Sequence, residues 1–181
     1  MPSPSFARWA KPALALTLLA VATAPASAHG PTRQKVVEKI TINAPPATCW
    51  AKIKNFDALK DWHPAVASSP ADKGNAEGSV REVKLKDGGA LTETLEGYDD
   101  AKMKYNYRLK DGSALPVTNY TSTILVTGEG NTCEVEWRGA FYRGYPNNDP
   151  PPDRNDEAAV KAVTAVYQAG LANLKKVVEG K

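Results

Sequence analysis

Residues 155–178, NDEAAVKAVTAVYQAGLANLKKVV, decide how the rest of the chain is read. Asn155 stands where a helix N-cap belongs, and Asp156 and Glu157 put negative charge on the first turn, where the helix dipole favours it. Lys175 and Lys176 carry the opposite sign in the last turn, and Gly180 suits a stop. Val160, Val163, Tyr167, Leu171, Leu174 and Val178 recur at steps of three and four, which makes one apolar stripe. Between Val36 and Arg143 nearly everything reads as short strands. A half-buried sheet and an amphipathic helix each need a cover. The simplest fold is therefore α+β, with the sheet packed on the terminal helix.

The other end of the chain is not read as fold. Arg8 and Lys11 give a positive start, residues 13–22 are apolar, and Ala26-Ser27-Ala28 is a small-x-small cleavage site. This is the pattern of a secretory signal peptide over residues 1–28, too short for a transmembrane span. Cleavage leaves one domain over residues 29–181. Arg8 and Lys11 are the only charges removed, so 21 basic residues face 20 acidic ones and the net charge falls from +3 to +1. A nearly neutral chain without a basic block gives no support for nucleic-acid binding. Cys49 and Cys133 would meet an oxidising compartment. They are read either as a disulfide or as two buried thiols.

Val36, Glu38, Ile40 and Ile42 alternate with Val37, Lys39 and Thr41 as a first strand. Pro46 suits the first turn of a short helix, with Cys49, Trp50 and Ile53 turned inward. A second helical turn over residues 57–62 ends at His63-Pro64, and residues 68–78 form a polar loop. Strands follow over residues 79–86, 90–96, 102–109, 117–127 and 133–141, with turns at Asp87-Gly88-Gly89, Tyr98-Asp99-Asp100, Asp111-Gly112 and residues 128–131. The order is strand, one or two short helices, about six antiparallel strands, one long helix.

That order, the Cys49-Trp50 helix start, the Trp62-His63-Pro64 corner and the Asp87-Gly88-Gly89 hairpin before Leu91-Thr92-Glu93 resemble the START-like (SRPBCC) superfamily, in its polyketide cyclase/dehydrase-like branch. The resemblance implies a helix-grip, START- or Bet v 1-like fold. Its curved antiparallel sheet wraps a long C-terminal helix around a cavity. Within that superfamily, His29-Gly30-Pro31-Thr32, Asp61-Trp62-His63-Pro64-Ala65-Val66 and the run from Phe141 through Tyr145 to Pro152 are similar to the MxaD-type accessory proteins of bacterial methanol oxidation. This closer resemblance implies a periplasmic, non-enzymatic protein that aids the interaction of methanol dehydrogenase with its cytochrome c acceptor. Composition and spacing do not show that role. Residue chemistry taken alone favours a carrier of a small hydrophobic ligand, and a cyclase-like enzyme is the third reading. No cofactor and no metal are expected.

The ligand reading rests on the hairpin. With a three-residue loop, Leu85 faces Leu91, Val83 faces Glu93 and Arg81 faces Leu95, which puts Arg81 and Glu93 diagonally on the apolar face. A charged pair there must be paired or wet. It serves as a polar grip inside a greasy cavity, as a structural ion pair, or faces solvent if the register slips. Tyr105, Tyr107, Trp137, Phe141 and Tyr167 are expected as cavity lining or as plain core. Gly170 either leaves room for a ligand or lets the helix approach the sheet. His63 is expected to bond backbone. A weaker reading sets it with the exposed amino-terminal His29 on a copper ion. Asn119-Tyr120-Thr121 matches a glycosylation acceptor by chance. The stretch 145–153 carries three consecutive prolines, Pro150 to Pro152, and exposed polar residues, among them Tyr145, Asn147, Asn148, Asp149 and Asp153. It is expected either to dock a partner or to serve as a stiff connector.

Overall fold

The structure is a computed structural model that describes Met1, residues 30–112 and residues 114–180. Apart from Met1, the leader assigned to residues 1–28 lies outside the described residues, as does His29. Seven strands follow one another as β1 (Gln34–Ile42), β2 (Val66–Ser68), β3 (Val80–Leu85), β4 (Ala90–Asp99), β5 (Lys104–Gly112), β6 (Val117–Glu129) and β7 (Thr132–Arg143). They form one antiparallel sheet in the order β1-β7-β6-β5-β4-β3-β2. Helices α1 (Pro46–Ile53) and α2 (Leu59–Trp62) come between β1 and β2, and α3 (Asp156–Glu179) closes the chain. The curved sheet wraps α3. This is the helix-grip fold.

The long helix forms where its sequence places it. The Asn155 side chain accepts a hydrogen bond from Ala158 N at 2.8 Å, and Gly180 ends the helix in the left-handed region at φ 68°. Its buried face is Ala159, Val163, Tyr167, Gly170, Leu171 and Leu174; Val160 and Val178 lie half-buried at the flank of that stripe. Gly170 is there for close packing. A Cβ at this position would stand 2.6 Å from His63 Cδ2 and 2.8 Å from Trp137 Cζ3, so only glycine lets α3 reach these rings. The Trp137 ring stacks on Tyr167 with centroids 4.3 Å apart.

α1 begins with Pro46 in its first turn, where the missing N–H costs nothing. Cys49, Trp50 and Ile53 are its buried face. Cys49 bonds Cys133 of β7, a disulfide spanning 84 residues of sequence. It ties α1 to β7 next to the end of β1, where Cys133 stands opposite Ile42. The short strand β2 leads into what reads as a polar loop, sharing only Ser68 with it, and it pairs with β3 at the sheet edge.

One register differs from the sequence reading, and one strand read as unbroken carries a bulge. In the β3–β4 hairpin Arg81 stands opposite Glu93 and Val83 opposite Leu91, two residues away from the expected pairing. The turn is centred one residue earlier than expected: Leu85 N donates to Gly89 O and Gly88 N donates to Leu85 O, which closes it over residues 86–88, with Gly88 at φ 94°. A shift of two keeps the parity of the pleat, so every side chain stays on its expected face. Arg81 and Glu93 are direct partners instead of diagonal ones. In β6 the register breaks between Thr118 and Thr121, where Asn119 adopts φ 49°. That bulge turns Tyr120 and Ser122 inward.

Candidate functional site

A cavity of about 290 Å³ lies between the sheet and α3. Exposed Ala65 and Asp87, with half-buried Leu85, Leu91, Ala114, Leu115, Ala162 and Val166, mark its outer end. Buried His63, Val83, Glu93, Tyr107, Tyr120 and Trp137 line it more deeply. The walls are mostly apolar, and apart from Asp87 at the outer end the polar side chains gather at the buried end. This is the usual economy of a small-molecule site, with area for affinity and a few polar groups for orientation.

Arg81 and Glu93 supply the only buried ion pair of the two hairpin strands. The arginine is 1% exposed and the glutamate 4%. Arg81 Nη2 and Nε both donate to Glu93 Oε2, at 2.6 and 2.9 Å, and Nη1 donates to Phe56 O at 2.6 Å. The guanidinium also lies over the Phe56 ring at 4.1 Å and the Tyr107 ring at 5.1 Å. Burial opposes the Arg81 charge, yet the Glu93 carboxylate together with Tyr105 and Tyr107 more than compensates and holds the guanidinium above its ordinary value. Arg81 therefore anchors the turn at Phe56 to the sheet, with its charge turned away from the cavity. Glu93 is the half of the pair that reaches the cavity wall.

Beside Glu93 runs a chain of hydroxyl and indole groups. Trp137 Nε1 donates to Ser122 Oγ at 2.9 Å and to Tyr107 Oη at 3.1 Å. The Tyr167 hydroxyl is 2.9 Å from Ser122 Oγ and 2.7 Å from the Tyr120 hydroxyl. Ser122 Oγ donates to Arg138 O, so Tyr167 donates to Ser122 and Tyr120 donates to Tyr167. Burial pushes the Tyr107, Tyr120 and Tyr167 phenols well above their ordinary values, so they stay protonated at neutral pH. Gly139 makes space for this network, since a Cβ there would overlap the Tyr167 hydroxyl.

His63 joins the cavity wall through the corner before Pro64. Its Nε2 donates to Val166 O at 3.0 Å and its Nδ1 accepts from Ala65 N at 3.3 Å. A carbonyl can only accept and an amide N–H can only donate, so the two contacts select the neutral Nε2–H tautomer. Burial lowers the His63 pKa, and the positive charge of Arg81 lowers it further against the effect of Val166 O. Both nitrogens bond backbone, which leaves none for copper. Among the described residues no group of three His, Cys, Asp or Glu side chains is placed to hold a metal ion.

Of the eight residues expected at a ligand cavity, Glu93, Tyr107 and Trp137 line it. Arg81 stands behind Glu93. Tyr105, Phe141, Tyr167 and Gly170 are packed in the core instead, because their neighbours fill the space that a ligand would need. Tyr120 and His63 are cavity residues the sequence reading did not place there. Ile124 and Val126 carry the signal for Tyr120: counting back from them in steps of two reaches Tyr120 and contradicts Val117, which marks a bulge between.

A family model described as "Polyketide cyclase / dehydrase and lipid transport" matches residues 33–179. The chain belongs to this family. Its fold recurs in an uncharacterised protein from Bacillus thuringiensis, 31% identical over 81% of this chain and 99% of that one, with a TM-score of 0.68. The protein XoxI from Bacillus cereus is likewise 31% identical, over 80% of this chain and 95% of that one, with a TM-score of 0.68. Norcoclaurine synthase from Thalictrum flavum, solved with dopamine and hydroxybenzaldehyde, shares the fold at 16% identity. It covers 83% of this chain and 88% of that one, with a TM-score of 0.61. No curated protein sequence matches the chain.

This member of the family also carries a fixed loop beside its helix. Asn147, Asn148, Asp149 and Asp153 are exposed and Tyr145 is half-buried. Arg143, at the end of β7, pins the loop from below. Its Nε donates to Tyr145 O, its Nη2 to Asn147 O and its Nη1 to Asp156 Oδ1, at 3.0, 3.0 and 3.2 Å. Asp149 sits at φ 55°, and a 3-10 turn over Pro152–Arg154 leads into Asn155. Among the described residues no helix is long and apolar enough to cross a membrane.

Proposed function

We propose that this protein is a non-catalytic binding protein that holds a small, mostly apolar ligand between its sheet and α3. The observation that carries the reading is the cavity of about 290 Å³, apolar along its length and polar at its buried end. Binding is favoured over catalysis by the state of the polar groups. His63 has both nitrogens on backbone, Glu93 is held by Arg81, and the cavity phenols remain protonated. None is a poised base. Isothermal titration with 2-naphthol tests the reading. Saturable one-to-one binding is expected, and it should be lost in Ala162→Trp, which fills the outer end. Native mass spectrometry of protein from its own host should find a retained small molecule. Turnover of a polyketide-like substrate that disappears in Glu93→Gln would instead favour a cyclase-like enzyme.

A second reading concerns partners. The pinned and exposed loop over residues 145–153 supports docking of a protein, and its sequence resembles that of accessory proteins of methanol oxidation. On this reading the chain works in the periplasm, beside methanol dehydrogenase and its cytochrome c. The leader pattern and the Cys49–Cys133 disulfide support export to an oxidising compartment. Replacing Pro150, Pro151 and Pro152 by glycine and serine should abolish capture of methanol dehydrogenase or of the cytochrome. Unchanged capture makes the loop a connector.

A further inference from the structure

The polar end of the cavity is not symmetric in what it offers a ligand. Glu93 Oε2 takes both donors of Arg81, while Oε1 takes no hydrogen bond from any described residue. Oε1 is not sealed away either. Among the described residues the one buried side-chain polar atom that lacks both a partner and access is Trp62 Nε1. Glu93 lines the cavity, so the open space next to Oε1 is the cavity itself. The matching positive charge is out of reach, since all three Arg81 nitrogens that make bonds spend them on Glu93 Oε2 and Phe56 O. His63 is neutral, its Nε2–H spent on Val166 O, and Asp87 at the outer end adds negative charge. Among the described lining residues, a ligand entering this space meets carboxylate oxygen and no cation.

We propose that the cavity selects a neutral ligand whose head group donates a hydrogen bond to Glu93 Oε1, such as an alcohol, phenol or primary amide, and rejects carboxylates. At the packing density of a protein interior the space suits about ten to thirteen non-hydrogen atoms. A donor satisfies the free lone pairs of Oε1. A carboxylate places a like charge against them in a site where water cannot screen it. Fatty acids and other carboxylic acids are thus excluded by charge even where their apolar body fits.

This inference rests on the cavity being a ligand site, and three probes of equal shape separate the two claims. Isothermal titration of the full mature protein with 2-naphthol, 2-naphthamide and 2-naphthoate at neutral pH is the test. The alcohol and the amide should bind one to one, and the nearly isosteric naphthoate should bind at least about tenfold more weakly. Naphthoate binding as tightly as the amide overturns the head-group selectivity and leaves the cavity reading standing. Failure of all three probes overturns the cavity reading itself. Glu93→Gln should narrow the gap between amide and naphthoate at least about fivefold. An unchanged gap in a folded variant removes the assignment to Glu93, and the wild-type series decides the selectivity if that variant does not fold.

Discussion

Gly139→Ala is the sharpest test of the buried hydroxyl network. The added methyl would overlap the Tyr167 hydroxyl and stand 3.3 Å from both Tyr167 Cζ and Thr121 O. To admit it, the phenol must move away from Ser122 Oγ and Tyr120 Oη, now at 2.9 and 2.7 Å. Overpacking of this kind costs about 1–3 kcal/mol, and unmaking two buried hydrogen bonds adds about 1–3 kcal/mol. Tyr167→Phe removes the overlapping atom in advance and bears only the hydrogen-bond cost. In that background the alanine meets no atom closer than 3.3 Å. The double variant should therefore be more stable than the two single losses predict, by about 1–2 kcal/mol. Equilibrium urea unfolding followed by tryptophan fluorescence measures all four corners of the cycle, with an unchanged slope as the check on two-state behaviour. Losses that simply add, within about 0.5 kcal/mol, would refute the geometry.

Three further outcomes are expected. Replacing both Cys49 and Cys133 by alanine opens a loop of 84 residues and should cost roughly 4–5 kcal/mol in chain entropy, read as a lower midpoint in urea. His63 is held below its unfolded value of 6.5, so its contribution is fully present above that pH and is lost as pH falls through the folded value. Wild-type stability should fall with pH in that window, and His63→Gln should lose that slope. Arg143→Met strips the donors from Tyr145 O, Asn147 O and Asp156. It should cost about 2–3 kcal/mol and speed proteolysis of the loop over residues 145–153 before the rest of the chain.

The elements that were legible in the sequence share one property: their signals are local. The caps at Asn155 and Gly180, the proline start of α1 and the alternation in β7 each need only a few neighbours, and each is where the sequence places it. Faces proved more robust than registers, because the β3–β4 slip of two residues preserves parity. The bulge at Asn119 was less legible. A residue at positive φ breaks the alternation that the reading relies on, and it hid Tyr120 from the cavity. Arg143 carries a signal that is readable in the sequence. It continues the inward phase of Cys133, Val135, Trp137, Gly139 and Phe141, and a buried arginine at the end of a strand demands acceptors from the adjoining loop. The disulfide stayed open because sequence gives no distance between α1 and β7. Which aromatics line the cavity and which fill the core depends on how far α3 descends, and Gly170 sets that depth through three rings.

The Arg81–Glu93 pair bears on function because stability alone gives little reason to keep it. Taking both charges out of water costs several kcal/mol per ion, and a well-packed apolar pair of similar volume is often as stable or more so. Removing one partner is different, because the other is left buried and uncompensated. The pair therefore makes a discriminating prediction when both members go together. Arg81→Met with Glu93→Leu should leave the urea midpoint unchanged or raised, since Phe56 O is the one acceptor orphaned and the two long apolar chains refill the space. The same double variant should lose most of its affinity for 2-naphthol, because Oε1 has gone and the apolar wall that replaces it offers no acceptor. Stability and binding would then move apart. If instead both collapse together, the pair is a keystone of the hairpin, and the glutamate reaches the cavity only as a by-product of holding the arginine.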